Sequence, residues 1–116
     1  MERIQTRGRH LPAFVLLAVL RCGRMHGRGI DLWLSAHLPG GWQADQPSVY
    51  RTLRDLESAG AVESEWRTGR GAAAREYTIT PRGRELLREW SEEIRRSRDN
   101  LDFWLEAWKE AEDVRG

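Results

Sequence analysis

The sequence predicts a mainly α-helical fold of the α+β class, built as one small domain with a long helix appended to it. Three observations lead to this prediction. Apolar residues recur at the helical spacing of three and four over most of the chain, and the period changes to two over two short stretches within residues 61–80. In addition, 116 residues are enough for only one domain with a modest core. Such a domain has little room for a deep active site.

The charge of the chain is unevenly distributed, although its formal net value is only +1. Residues 1–84 contain 13 arginines and 8 acidic residues, whereas residues 85–116 contain 6 basic and 10 acidic residues. This asymmetry is expected if the N-terminal part meets a polyanion. Lys109 is the only lysine, and arginine can bind phosphates and guanine edges through paired hydrogen bonds. A high genomic GC content would produce the same preference for arginine.

Cysteine usage and hydropathy indicate the compartment. Cys22 is the only cysteine, so it cannot form an intramolecular disulfide, and this fits a reducing environment. The apolar run at residues 11–20 is about half the length of a membrane span and continues into further amphipathic structure. We therefore predict a cytoplasmic protein that makes no contact with a membrane.

The first third of the chain predicts two helices. Residues 1–10 are polar and basic and are expected to form a flexible arm. Residues 12–22, PAFVLLAVLRC, are too uniformly apolar for a surface helix, so we expect burial on most sides, partly against another subunit. A turn at His26 and Gly27 should follow. The second helix is then indicated by the spacing of Ile30, Trp33, Leu34 and Leu38, and it should end at the Pro-Gly-Gly of residues 39–41.

Residues 46–60, QPSVYRTLRDLESAG, predict a short helix with two different faces. Asp45 supplies a plausible N-cap, Pro47 lies in the first turn and Gly60 ends the helix. Val49, Leu53 and Leu56 share an arc that should pack on the core. The opposite face is small, aromatic and basic, which is compatible with an ordinary solvated surface as well as with a binding surface.

Two strands and a long helix complete the chain. The stretches AVESEWR and REYTIT alternate between apolar and polar residues, and the glycine-containing segment between them predicts a hairpin whose rim is basic. Thr80 should cap a last helix that has Pro81 at its first position and runs over residues 81–112.

The last helix carries a heptad pattern. Its apolar positions step alternately by three and four residues, and so long a helix cannot bury this seam against its own small domain. The seam therefore predicts a homodimer. Three tryptophans on the seam either fill the interface or form a slot for a small aromatic effector. The predicted interface residues are Leu87, Trp90, Ile94, Leu101, Trp104 and Trp108, and the candidate effector residues are Trp90, Trp104 and Trp108.

The order helix, helix, helix, hairpin, long helix is that of a winged helix-turn-helix with an added dimerisation helix. We predict a DNA-binding domain at residues 11–80, a dimerisation helix at 81–112 and the basic arm at 1–10. In this fold one helix enters the major groove of double-stranded DNA, and the hairpin tip reaches a neighbouring phosphate or the minor groove. The predicted DNA-binding residues are Gln46, Ser48, Tyr50, Arg51, Thr52 and Arg54 on the third helix and Arg67, Arg70 and Arg75 on the hairpin.

Three blocks of the sequence, in this order, resemble the PadR family of bacterial transcriptional regulators. They are MHGRGIDLWL, PSVYRTLRDLESAGAVESEW and REYTITPRGRELL, and the similarity extends over residues 11–111. The resemblance implies a winged-helix regulator, often a repressor, and some relatives bind phenolic or multidrug-like compounds near the dimer interface. Arg28 departs from the pattern, because the family usually has an aromatic residue there. The residues that match the family pattern are Tyr50, Leu53, Leu56, Gly60, Tyr77, Thr80 and Gly83.

Other functions are less well supported by the sequence. The segment PSVYRTL also resembles the recognition helix of ferric-uptake regulators, but three histidines and Cys22 are too few and too scattered for a regulatory metal site. We find no histidine near a nucleophile in a recognisable motif, so we predict neither an enzyme nor a cofactor. The remaining alternative is a winged-helix module that binds a protein or a small molecule without specific DNA binding.

Overall fold

The computed structural model describes residues 6–39, 45–69 and 74–115, with side chains described from His10 to Val114 within those ranges. All six predicted helices and strands are present, together with one strand that was not predicted. The elements are α1 Thr6–Cys22, β1 Met25–His26, α2 Gly27–His37, α3 Gln46–Ser58, β2 Val62–Arg67, β3 Ala74–Ile79 and α4 Pro81–Arg115.

The three strands form an antiparallel sheet in the order β1-β3-β2. The hairpin pairs Val62 with Ile79 and Trp66 with Arg75, and β1 adds Met25 opposite Tyr77 on the other side of β3. The prediction of a turn at His26 and Gly27 was therefore wrong. His26 ends a strand, and Gly27 is the first residue of α2. A strand of two residues is too short to show the alternation by which strands are predicted from sequence.

The hydrophobic core lies between the first three helices and the sheet. α1 contributes the apolar face predicted for it, although Leu17 remains 38% exposed. The predicted inner face of α3 is buried as well. The largest fully buried side chains are Val15, Leu16, Val19, Ile30, Leu34, Val49, Leu53 and Val62.

Two helix limits differ from the prediction. α1 begins at Thr6, so residues 6–10 of the predicted arm are helical, and Pro12 lies inside the helix. Proline removes one hydrogen bond, here to the carbonyl of Gly8, and a helix with enough packing on either side can continue past that loss. α4 extends to Arg115 instead of ending near Glu112.

α4 is anchored to the domain at its first turn. Thr80 Oγ1 donates a hydrogen bond of 2.6 Å to the carbonyl of Gly60 and accepts one of 3.0 Å from the amide of Gly83. Thr80 therefore caps the helix as predicted and ties it to the turn after α3. Leu86, Leu87 and Trp90 pack against the core, and the helix then projects away from the domain. The molecule is elongated, with extents of 65 × 27 × 26 Å. In the described ranges no helix is both long and apolar enough to cross a membrane.

Candidate nucleic-acid interface

The start of α3 is fixed by Asp45. Its carboxylate accepts hydrogen bonds from the backbone amide of Ser48 at 3.1 Å and from the Ser48 hydroxyl at 2.7 Å. The bond from the Ser48 hydroxyl is the largest cause that lowers the pKa of Asp45 below its ordinary value. Asp45 thus stays ionised and holds the first turn of α3, as its position before Pro47 predicted. The Ser48 proton is used within this cap, which leaves the hydroxyl oxygen free to accept but not to donate.

The outer face of α3 presents two arginines. Arg51 and Arg54 are exposed, and within the described ranges neither forms an ion pair or a hydrogen bond. Gln46 and Tyr50 are half-buried at the edge of this face. The Tyr50 ring lies against the backbone of Gly27, so closely that a Cβ added to Gly27 would overlap the ring. Tyr50 therefore joins α3 to the start of α2.

Thr52 does not lie on the outer face. Only 8% of its surface is exposed, and it packs beside Leu53 on the core side of the helix. The prediction that Thr52 contacts DNA is therefore not compatible with this structure. The reason is geometric, since Thr52 lies about 100° from Leu53 and about 40° from Leu56 around the helix. A small polar side chain at that bearing is covered by its neighbours.

The two described arginines of the hairpin are already engaged. Arg67 pairs with Glu76 across the strands at 3.1 Å. Arg75 donates to Ser64 Oγ at 2.8 Å, lies 3.6 Å from Glu57 of α3, and stands 5.0 Å from the centre of the Trp66 ring. Arg75 shares the strand face of Tyr77 and turns toward α3, so the residue predicted at the base of the hairpin tip is already engaged within the domain. Arg70, the third predicted hairpin cation, lies outside the described residues.

Arg28 is a cation that the sequence analysis did not assign to the site. It lies in the first turn of α2, is exposed, and has no ion-pair partner within the described ranges. It lines the same groove as Arg54 and Tyr50. Its position directly after Gly27, at the start of a helix next to the predicted recognition helix, was the signal that could have identified it.

The predicted dimer and effector residues follow α4 outward from the core. Leu87 and Trp90 are half-buried against the domain, whereas Ile94, Leu101, Trp104 and Trp108 are exposed. The rings of Trp104 and Trp108 stack with centroids 6.2 Å apart. Trp90 is 14 residues before Trp104, or about 21 Å along the helix axis. Within one chain, therefore, only Trp104 and Trp108 of the predicted effector residues come together.

Potential metal ligands are dispersed. Within the described ranges no three histidine, cysteine, aspartate or glutamate side chains are grouped so that they could hold a metal ion.

The chain is similar to known regulators in sequence. Residues 16–89 match the model of the transcriptional regulator PadR-like family. Over 65 residues the chain is 38% identical to the transcriptional regulator Rv3488 of Mycobacterium tuberculosis, a match that covers 56% of this chain and 58% of that relative. The matched segment thus spans less than two thirds of the relative's length.

Solved structures show the same fold. The chain superposes on the PadR family transcriptional regulator from Eggerthella lenta with a TM-score of 0.74 and 26% identity, covering 85% of this chain and 84% of the other. It also superposes on Bacillus subtilis PadR in complex with operator DNA, with a TM-score of 0.58 and 25% identity over 67% of this chain and 45% of that one. These matches confirm the predicted winged helix with a long C-terminal helix.

Proposed function

Because this chain belongs to the PadR-like family of transcriptional regulators, we propose that it binds a pseudo-palindromic operator as a homodimer and represses transcription from it. The family is one of regulators and not of enzymes. A protein that acts on chromosomal DNA works in the bacterial cytoplasm, and we propose that location for this chain. The proposal rests mainly on one observation, the exposed arginines on the outer face of α3, which have no ion-pair partner among the residues that the structure describes.

Arg51 and Arg54 are the proposed base-reading residues. An arginine without an intramolecular partner keeps all five N–H donors for guanine edges or phosphates, and an ion pair need not be broken when DNA binds. Gln46 and Tyr50 at the edge of the same face are proposed to contact the DNA backbone. Ser48 can take part only as an acceptor, or as a donor after its bond to Asp45 is broken.

The hairpin is proposed to contact phosphates without reading sequence. Arg67 uses Nε for Glu76 and is half exposed, so its terminal nitrogens remain free to donate. Arg70 is proposed for the same role. Arg75, held by Glu57, Ser64 and Trp66, is left out of the proposed contacts.

The exposed half of α4 supports the proposed homodimer. Leu101, Trp104 and Trp108 lie on one stripe of a helix that projects beyond its own core, and a contiguous apolar stripe of this kind is usually covered by a partner. A second copy of the chain offers the identical stripe, which closes the assembly as a two-fold dimer.

Salt dependence of binding to random duplex DNA tests DNA binding against the alternative of a module that binds protein or small molecules. Release of counterions from phosphates makes the logarithm of the affinity fall linearly with the logarithm of the salt concentration. We expect a slope that corresponds to several phosphate contacts. This slope should become shallower when Arg67 is replaced by glutamine. Arg95→Gln, on the exposed surface of α4, serves as the matched control and should leave the slope unchanged. Absence of any salt-dependent binding would favour the alternative.

We further propose that a flat aromatic effector binds at Trp104 and Trp108 and releases the DNA. A ligand can do so only if it prefers the dimer arrangement that does not fit the operator, and a coupling of about 1–3 kcal/mol is typical of such systems. Binding should quench tryptophan fluorescence and weaken the operator complex, and Trp104→Leu should abolish both effects. If planar aromatics change neither property in the unmodified protein, Trp104 and Trp108 serve only in packing.

A further inference from the structure

One exposed cation lies outside the proposed recognition helix but borders its outer face. Arg28 is in the first turn of α2 and lines the same surface groove as Tyr50 and Arg54 of α3. Both arginines are exposed. A large ligand that covers the outer face of α3 would therefore also meet the start of α2.

The charge of Arg28 is not compensated inside the molecule. Among the residues that the structure describes, Arg28 takes part in no ion pair and no hydrogen bond of its side chain. Asp31 follows three residues later on the same helix, yet the two side chains form no ion pair. The first turn of α2 contains no acidic residue. Arg28 thus keeps its five N–H donors for an external anion.

A phosphate of the DNA backbone is the anion that this position fits. In a helix-turn-helix the second helix enters the major groove, whereas the helix before it crosses the sugar-phosphate backbone. Here α2 is the helix before α3, and Arg28 lies at the end of α2 that borders the outer face of α3. A guanidinium group can donate two parallel hydrogen bonds to phosphate oxygens.

The start of α2 is held in place from two sides. Gly27 is buried and does not have a positive φ, so its backbone conformation does not require glycine. However, a Cβ added to Gly27 would overlap Cε1 of the Tyr50 ring and lie 2.8 Å from its Cδ1. Glycine is therefore needed for the close approach of the ring. On the other side, Nδ1 of His26 accepts a hydrogen bond of 3.0 Å from the amide of Gly29 and caps the first turn.

We propose that Arg28 contacts a DNA phosphate, and that the packing of Tyr50 on Gly27 positions it relative to Arg54. This inference deepens the proposed function and rests on it, because it extends the DNA interface from α3 onto α2. A phosphate contact carries no sequence information. Arg28 should therefore contribute equally to the binding of every duplex, and its contribution should depend on salt.

The first experiment measures the affinity of the full chain for a selected operator and for a random duplex of the same length, over a range of salt concentrations. Arg28→Gln should reduce the slope of log affinity against log salt by about 0.9 per subunit, and should weaken both complexes by the same factor, about eightfold per subunit at 0.1 M salt. Arg28→Lys keeps the charge and should retain the slope. Arg95→Gln removes a charge from the exposed surface of α4 and is the matched control, which should change neither quantity.

Two results of this experiment would overturn the phosphate contact. The first is a slope in Arg28→Gln equal to that of the unmodified protein. The second is a loss of affinity for the operator alone, which would mean that Arg28 reads a base. Because Arg28 is exposed, we expect Arg28→Gln to fold, and urea unfolding checks this.

A second experiment tests the positioning role of Gly27. The methyl group of Gly27→Ala must displace the Tyr50 ring, so the slope should fall as it does in Arg28→Gln. The two substitutions together should then reduce the slope no further than either one alone. A merely structural loss would lower the fraction of folded protein and leave the slope unchanged. An unchanged slope, or losses that add, would overturn the positioning role. If Gly27→Ala does not fold, Tyr50→Ala removes the ring and gives the same readout.

The same measurements separate this inference from the proposed function. Binding to random duplex that depends on Arg28, with no sequence selected as an operator, would overturn the proposed function and leave the Arg28 contact standing. Binding to an operator that does not depend on Arg28 would do the reverse. Absence of DNA binding in the unmodified protein would overturn both.

Discussion

Arginines in the DNA-binding domain fall into two groups according to what they touch. Arg67 and Arg75 use part of their hydrogen-bonding capacity on Glu76, Glu57 and Ser64. By contrast, Arg28, Arg51 and Arg54 are exposed and unpaired within the described ranges. Surface ion pairs contribute little to stability, in the range of about 0–1 kcal/mol. The pairing matters more for function, since it decides which guanidinium groups can receive a ligand.

Replacement of Arg51 by alanine tests the base-reading role. If Arg51 makes a bidentate contact with a base, Arg51→Ala should weaken operator binding by about 1–3 kcal/mol and reduce discrimination between operator and random duplex. Fluorescence anisotropy with both duplexes measures the two affinities, and Arg95→Ala is the control. An equal loss on both duplexes would show that Arg51 contacts a phosphate and would contradict the base-reading role.

Replacement of Thr80 by alanine tests the capping interaction at the start of α4. The hydroxyl satisfies two backbone groups, the Gly60 carbonyl and the Gly83 amide, in a nearly buried position. Thr80→Ala should therefore lower the free energy of unfolding by about 1–2 kcal/mol, measured by urea denaturation. Thr80→Ser keeps the hydroxyl and should retain most of the stability. Equal losses in the two variants would indicate that the methyl group, and not the cap, stabilises this junction.

At the scale of the elements, the helix limits show what local sequence determines. The limits of α3 were predictable because Asp45, Pro47 and Gly60 each act within one turn, and Gly60 indeed adopts a φ of +78° that favours glycine. The start of α4 at Pro81 was predictable for the same reason. β1 was not, because its two residues are extended only through pairing with Tyr77 and Glu76 of β3, which are distant in sequence.

The candidate site was predictable to a smaller extent than the fold. Helical periodicity assigned Arg51 and Arg54 to the outer face of α3 correctly, since bearing around a helix follows from sequence spacing alone. The same reasoning could not reveal that Arg75 turns toward Glu57, because that contact requires both the strand register and the packing of β3 on α3. The prediction that Thr52 is exposed was wrong, because Thr52 lies at the boundary between the two faces of α3, where exposure depends on neighbouring side chains.

The junction between α4 and the domain can be tested at Gly83. A Cβ added there would overlap the carbonyl oxygen of Ala61 and lie 2.7 Å from Ile79 Cγ1. The backbone carbonyl cannot move aside easily, so Gly83→Ala should lower the free energy of unfolding by about 1–3 kcal/mol. In Gly69→Ala the new Cβ meets no described atom within 4 Å, so this control should be nearly neutral in the same denaturation experiment. A neutral Gly83→Ala would contradict the close approach of α4 to Ala61.

For the whole molecule, the main feature is an imbalance between a small core and a long projecting helix. α4 has 35 residues, which corresponds to a length of about 52 Å. Its N-terminal part packs on the domain, while its C-terminal part exposes Leu101 and Trp104. Binding to two half-sites on one face of the duplex requires two recognition helices at a fixed separation. A helix that joins two copies would fix that separation.

Charge introduced into the seam tests the assembly. Leu101→Asp combined with Trp104→Asp should convert the dimer to a monomer in analytical ultracentrifugation, because burial of an unpaired polar group costs about 2–7 kcal/mol. Phe103→Asp is the control, since Phe103 is 74% exposed but lies about 160° from Leu101 around the helix. We expect the control to remain dimeric. A double variant that stays dimeric would show that the seam is not the assembly interface.

The central claim, sequence-specific binding to DNA by a two-fold dimer, is tested most directly by selection of bound sequences from a random duplex pool. The predicted result is enrichment of an inverted repeat whose half-site centres are about 10–10.5 base pairs, or a multiple of that spacing, apart. Arg51→Ala in the same selection should relax the preference at one position in each half-site. Recovery of a pool no different from the starting sequences, or of a single asymmetric site without a repeat, would contradict the claim.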